Sequence, residues 1–162
     1  MNAKPGYGYV CPNLAIGSKP PLGHPLPFDV LVLTAWEVIK FYPGYASPAS
    51  FPGTHVLYVP LDDATIPLSE ATRALDAGRK AATYVQRGKR VLVTCNQGRN
   101  RSGLVTGFAL MDLGYPSTES VRRIRKARGD DALSNDFFVR LLHEMDRRPR
   151  KPRRGMSLSS EC

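Results

Sequence analysis

Residues 91–103 read Val91-Leu92-Val93-Thr94-Cys95-Asn96-Gln97-Gly98-Arg99-Asn100-Arg101-Ser102-Gly103. An apolar run of strand type ends on a cysteine, a polar turn follows, and an apolar stretch of helical length begins near Ser102. A buried strand that passes through a short loop into a helix turns successive backbone N–H groups toward one point, backed by the helix N-terminus. An anion at that point accepts several hydrogen bonds and meets the positive end of the helix dipole. Gly98 relieves the backbone where the loop curls, and Arg101 offers a planar fork to two oxygens of a phosphate. The same field favours the thiolate form of Cys95. Ser102 is placed to donate a hydrogen bond to that sulfur. The stretch therefore predicts a nucleophilic Cys95 beneath a phosphate cradle built from Asn96, Gln97, Gly98, Arg99, Asn100 and Arg101, a chemistry that needs no metal and no other cofactor.

Around this stretch, residues 29–34 form a continuous apolar run that reads as a strand buried on both faces, and 55–61 is a second candidate buried strand. Residues 69–87 have helical spacing with Ala71, Ala74, Leu75, Ala82 and Val85 on one side. Ser69 is the candidate N-cap and Gly88 the C-cap. Helices are expected over 102–113, 117–128 and 135–145; the first 28 residues are rich in Gly and Pro around a short apolar piece, Leu14-Ala15-Ile16, and residues 43–54 read as loop. The order gives an α/β domain with a central, mostly parallel sheet of about four to five strands flanked by helices.

Right-handed crossovers place the C-terminal ends of parallel strands on one sheet edge. Asp62 and Asp63 follow the strand at 55–61, so their loop is predicted to meet that of Cys95. A carboxylic acid there would protonate a leaving alcohol and then activate water.

These residues resemble the dual-specificity branch of the protein tyrosine phosphatase superfamily. The signature Cys, five residues, Arg, then Ser or Thr is matched by Cys95, Arg101 and Ser102. Val59-Pro60-Leu61-Asp62-Asp63 is similar to the segment that carries the family's general acid, and its register implies Asp63 rather than Asp62. Leu14-Ala15-Ile16-Gly17-Ser18 resembles the opening strand. Arg125, Arg128, Leu133-Ser134-Asn135 and Phe138 resemble the closing segments. The resemblance implies a dual-specificity-phosphatase-like fold and hydrolysis of phosphomonoesters on phosphoprotein Tyr, Ser or Thr through a phosphocysteine. Two departures matter. Thr94 stands where the family usually has His. Gly98-Arg99-Asn100-Arg101-Ser102-Gly103 is similar to capping-type RNA 5′-triphosphatases, and Arg99 sits where phospholipid phosphatases of the superfamily often carry a cation. An RNA 5′ end or a phospholipid is therefore an alternative substrate, and a non-catalytic phosphate-binding module is a third reading.

The 162 residues fit one domain, and 42% apolar with 23% charged residues is an ordinary globular composition. Residues 1–146 are expected to form the phosphatase domain and 147–162 a disordered basic tail. That tail carries Arg147, Arg148, Arg150, Lys151, Arg153 and Arg154 against Glu161, and so holds more than half of the net +9. It would contact nucleic acid or an anionic surface, or serve solubility alone. Cys11, Cys95 and Cys162 form no disulfide framework or zinc motif, with Cys11 expected to be structural. A reducing, cytoplasmic setting is expected, as are a monomeric chain and the absence of a signal peptide or transmembrane segment.

Overall fold

A computed structural model describes residues 6–148. Five strands make one sheet in the order β1-β2-β5-β3-β4: β1 Tyr7–Cys11, β2 Leu14–Ser18, β3 Val30–Ala35, β4 His55–Leu61 and β5 Val91–Cys95. The pairs β2–β5, β5–β3 and β3–β4 are parallel, and only β1 runs antiparallel, to β2. The expected α/β sheet is observed. The C-terminal ends of four strands therefore share one edge, where Ser18 pairs in register with Cys95.

Alternation along the central strands divides the core in two. Val30, Val32, Val91 and Val93 face the helical layer, where α2 (Leu68–Gln86), α3 (Arg101–Asp112), α4 (Ser117–Arg128) and α5 (Asp136–Asp146) close the larger cluster. Leu31, Leu33, Leu92 and Cys95 face the other side, under Phe28, Val38, Tyr45 and Phe51. That second face is covered by α1 (Trp36–Phe41) and two 3-10 turns, Pro43–Ala46 and Pro48–Ser50, rather than by the featureless loop read from the sequence. The hairpin strand β1 lies in the Gly- and Pro-rich opening segment, where the sequence reading placed no element before Leu14.

Two local expectations need correction. The strand at 55–61 is an edge strand with only Leu61 fully buried; Pro60 within it was the signal, because proline is tolerated at sheet edges. Ser69 does not cap α2: the helix begins at Leu68 after Pro67 and has no side-chain cap. Its other end agrees with the reading. Gly88 has φ +77°, its N–H bonds the Val85 carbonyl, and the Lys89 N–H reaches back to Tyr84, a Schellman closure. The helix at 117–128 has the predicted bounds. Most of the basic tail lies outside the described residues, as does Cys162. Among the described residues, no helix is long and apolar enough to cross a membrane, and no cluster of His, Cys, Asp or Glu is arranged to hold a metal ion.

Candidate active site

Cys95 ends β5 as a free, buried thiol, and the chain curls through residues 96–100 into α3. The Gly98 N–H donates to the Cys95 sulfur at 3.2 Å, and the Ser102 hydroxyl lies 3.2 Å from the same atom. The backbone amide and the hydroxyl thus converge on one sulfur atom. Gly98 is required twice over. Its φ is +68°, and a Cβ there would fall 2.3 Å from the Gly17 carbonyl carbon at the end of β2. The loop is thus pressed against the neighbouring strand.

Thr94, buried at the end of β5, is tied to β3 through both its hydroxyl and its carbonyl. Its hydroxyl donates to the Val32 carbonyl at 3.1 Å, while Thr34 donates to the Thr94 carbonyl at 2.9 Å. These bonds fasten the last turn of β5 to β3.

Arg101 is 8% exposed. Its Nη1 and Nη2 each donate to one oxygen of Glu37 at 2.5 Å, and Nη1 also lies 3.5 Å from the Leu61 carbonyl. Its buried Nε has no partner. A buried N–H is rarely left unpaired, so this donor is available to a ligand oxygen. Burial works against the Arg101 charge, but the hydrogen bonds to Glu37, together with Cys95 and Asp63, outweigh it and raise its pKa. The same bonds from Arg101 hold the Glu37 carboxyl below the usual carboxylate range, against an opposing contribution from burial.

The predicted meeting of the two loops is present, and the carboxylate that reaches across is that of Asp63. It accepts from Asn100 Nδ2 at 3.0 Å and from Asn135 Nδ2 at 2.9 Å. Asn100 Oδ1 accepts the Asn135 N–H at 3.0 Å, closing a three-residue ring between the loop after β5, the loop after β4 and the start of α5. Asp62 is exposed, and its N–H is held by Glu70 at 3.2 Å. The α4–α5 connection is drawn in by the Leu133 N–H on the Arg99 carbonyl and by Arg125 on the Ala132 and Leu133 carbonyls.

Arg128 donates to the Gly98 carbonyl at 3.1 Å and the Gln97 carbonyl at 3.0 Å, bracing the loop from behind. Asn96, Gln97 and Arg99 are exposed at the mouth. Sequence reasoning missed Glu37, whose available signal was an acid directly after a buried strand on the edge that carries Asp63. It also assigned no role to Asn135, which a lone polar residue before a helix does not distinguish from a plain N-cap. Asn135 does serve as that cap, accepting the Phe138 N–H.

The chain shares this architecture with solved phosphatases. A mouse putative dual specificity phosphatase, complexed with zinc tungstate, superposes with TM-score 0.71 at 23% identity, covering 90% of this chain and 89% of its own. Human DUSP28 gives TM-score 0.67 at 19% identity over 89% and 95%. PTPMT1 in complex with PI(5)P gives 0.62 at 16% over 87% and 94%. No protein-family model and no curated protein sequence matches the chain. At these identities the likeness defines the fold: an α/β fold of the dual-specificity and tyrosine phosphatase type, as the signature residues implied.

Proposed function

We propose that this protein is a cysteine-dependent phosphatase of the tyrosine phosphatase superfamily that hydrolyses phosphomonoesters on phosphoprotein Tyr, Ser or Thr. The observation that supports it most is the free Cys95 sulfur, met by the Gly98 N–H and the Ser102 hydroxyl at the foot of a loop whose Arg101 keeps an unpaired donor. Sγ attacks phosphorus in line with the ester oxygen, forming the S–P bond as the P–O bond breaks. Asp63 gives its proton to the departing oxygen. The backbone amides of residues 96–101 and the Arg101 guanidinium carry the charge spread over the phosphoryl oxygens. Water, deprotonated by Asp63, then attacks the phosphocysteine, and Ser102 stabilises the thiolate as it leaves. A cytoplasmic, reducing setting would keep the nucleophile reduced.

The test is a burst assay with an aryl phosphate. Wild type should show a burst stoichiometric with protein followed by steady turnover. Cys95→Ser should lose both but still bind vanadate. Full turnover in Cys95→Ser would refute the reading.

A phospholipid substrate is the second reading, favoured by Arg99 exposed on the loop and by the structural likeness to a protein solved with PI(5)P. Parallel assays on phosphopeptides and phosphoinositides separate the two.

A further inference from the structure

Beside the catalytic loop, α1 and the β2–β3 connection expose an unusual set of side chains. Phe41 is 66% exposed, Tyr42 53%, Trp36 38% and Leu22 38%. Large apolar side chains gathered on one exposed face mark an interaction surface rather than ordinary solvent contact. Two lysines are laid over the rings: Lys40 Nζ is 5.4 Å from the Trp36 centroid and 5.6 Å from that of Phe41, and Lys19 Nζ is 4.7 Å from the Tyr42 centroid. The acid within this segment, Glu37, is consumed by Arg101. The face is therefore apolar, aromatic and cationic.

We propose that the face formed by Lys19, Leu22, Trp36, Lys40, Phe41 and Tyr42 docks on an anionic lipid bilayer. Three features favour a bilayer over the alternatives. Trp and Tyr place an apolar ring below the headgroups while a polar tip stays wet, and Phe41, which has no polar handle, gains only by leaving water. Lysines that lie along aromatic surface can lift their ammonium groups to lipid phosphates. A single-stranded nucleic acid would instead need open ring faces for its bases, and here lysines lie over the rings. Position adds a consequence. Lys19 follows Ser18, which pairs with Cys95, and Trp36 precedes Glu37, which holds Arg101. Docking would bring the mouth of the site close to the headgroups.

Trp36 is the sole tryptophan of the chain, so its emission reports this face directly. The full chain is titrated with vesicles of phosphatidylcholine alone and of phosphatidylcholine mixed equally with phosphatidylserine. Co-sedimentation and Trp36 emission are followed together. Wild type should bind the mixed vesicles with a blue shift and bind the neutral ones weakly. The double variant Lys40→Glu/Phe41→Ser should partition at least about tenfold less, from loss of a lysine's electrostatic attraction and a phenyl ring's burial. Its shift should vanish while its melting temperature and aryl phosphate turnover stay unchanged. Cys95→Ser should bind vesicles as wild type does, so failure of the catalytic reading and failure of docking are told apart.

Binding without a change in Trp36 emission would assign the attraction to the basic tail and overturn the proposal. So would equal binding by the double variant, or a blue shift given by single-stranded RNA or a phosphopeptide and not by vesicles.

Discussion

Arg101 and Glu37 form a two-pronged ion pair in which both terminal nitrogens of the guanidinium are held by one carboxylate, while the buried Nε has no partner. The arginine proposed to bind phosphate is thereby fixed at its two terminal nitrogens. Arg101 is 10% and Glu37 25% exposed at the side chain, so removing the acid strands a mostly buried cation. Glu37→Ala is expected to destabilise the fold by about 2 kcal/mol, below the full penalty for a dry pair because Glu37 is partly wet. Vanadate affinity should fall about tenfold as Arg101 loses its brace. Chemical denaturation and competitive inhibition measure the two effects.

The same pair makes stability depend on pH. The Glu37 carboxyl is held below its ordinary value of 4.5 by the Arg101 hydrogen bonds. A depressed carboxyl contributes stability above its ordinary value and loses it as pH falls through the lowered one. The stability difference between wild type and Glu37→Gln should be constant at neutral pH and shrink on acidification below 4.5. Denaturation of both proteins across a pH series checks the sign. A difference that grows toward acid would contradict it.

Gly98→Ala should be among the most damaging single changes. It places a Cβ in a left-handed conformation and within 2.3 Å of the Gly17 carbonyl carbon. Backbone atoms cannot yield cheaply, so a loss above about 2 kcal/mol is expected, together with near-complete loss of turnover. Thermal melting and the aryl phosphate assay read both.

Arg128 contributes through the loop's back rather than through substrate. Arg128→Ala removes two hydrogen bonds to the Gln97 and Gly98 carbonyls. The expected result is a fall in kcat/KM of about 10–100-fold with a stability change of about 1–2 kcal/mol. Steady-state kinetics beside a denaturation curve would show activity falling out of proportion to stability.

Asn100→Ala tests the ring around Asp63. With Asn100 Nδ2 gone, Asp63 keeps only the Asn135 side of its two amide contacts. Proton donation matters most when the leaving group is poor. The variant should lose about tenfold in kcat on an alkyl phosphate and little on a nitrophenyl phosphate, a split that plain destabilisation would not produce.

Local signals in the sequence carried the strand, loop and helix around Cys95 and the approach of Asp63. The strand–loop–helix at 91–103 needs only period and glycine placement, and parallel crossovers alone bring Asp63 to Cys95. What was not legible depends on contacts between distant segments. Glu37 is one acid among many until Arg101 is folded against it. The edge position of β4 follows from strand order, which its apolar run does not encode and at which only Pro60 hints. α1 is six residues long, too short for helical periodicity to stand out, and β1 mixes glycine and tyrosine within a Gly- and Pro-rich segment.

The close approach of Gly98 to Gly17 also makes the hairpin of β1 and β2 a wall for the 96–100 loop. Deleting the hairpin would thus spare Cys95, Gly98, Arg101 and Ser102 and still take away the backbone against which residue 98 is pressed.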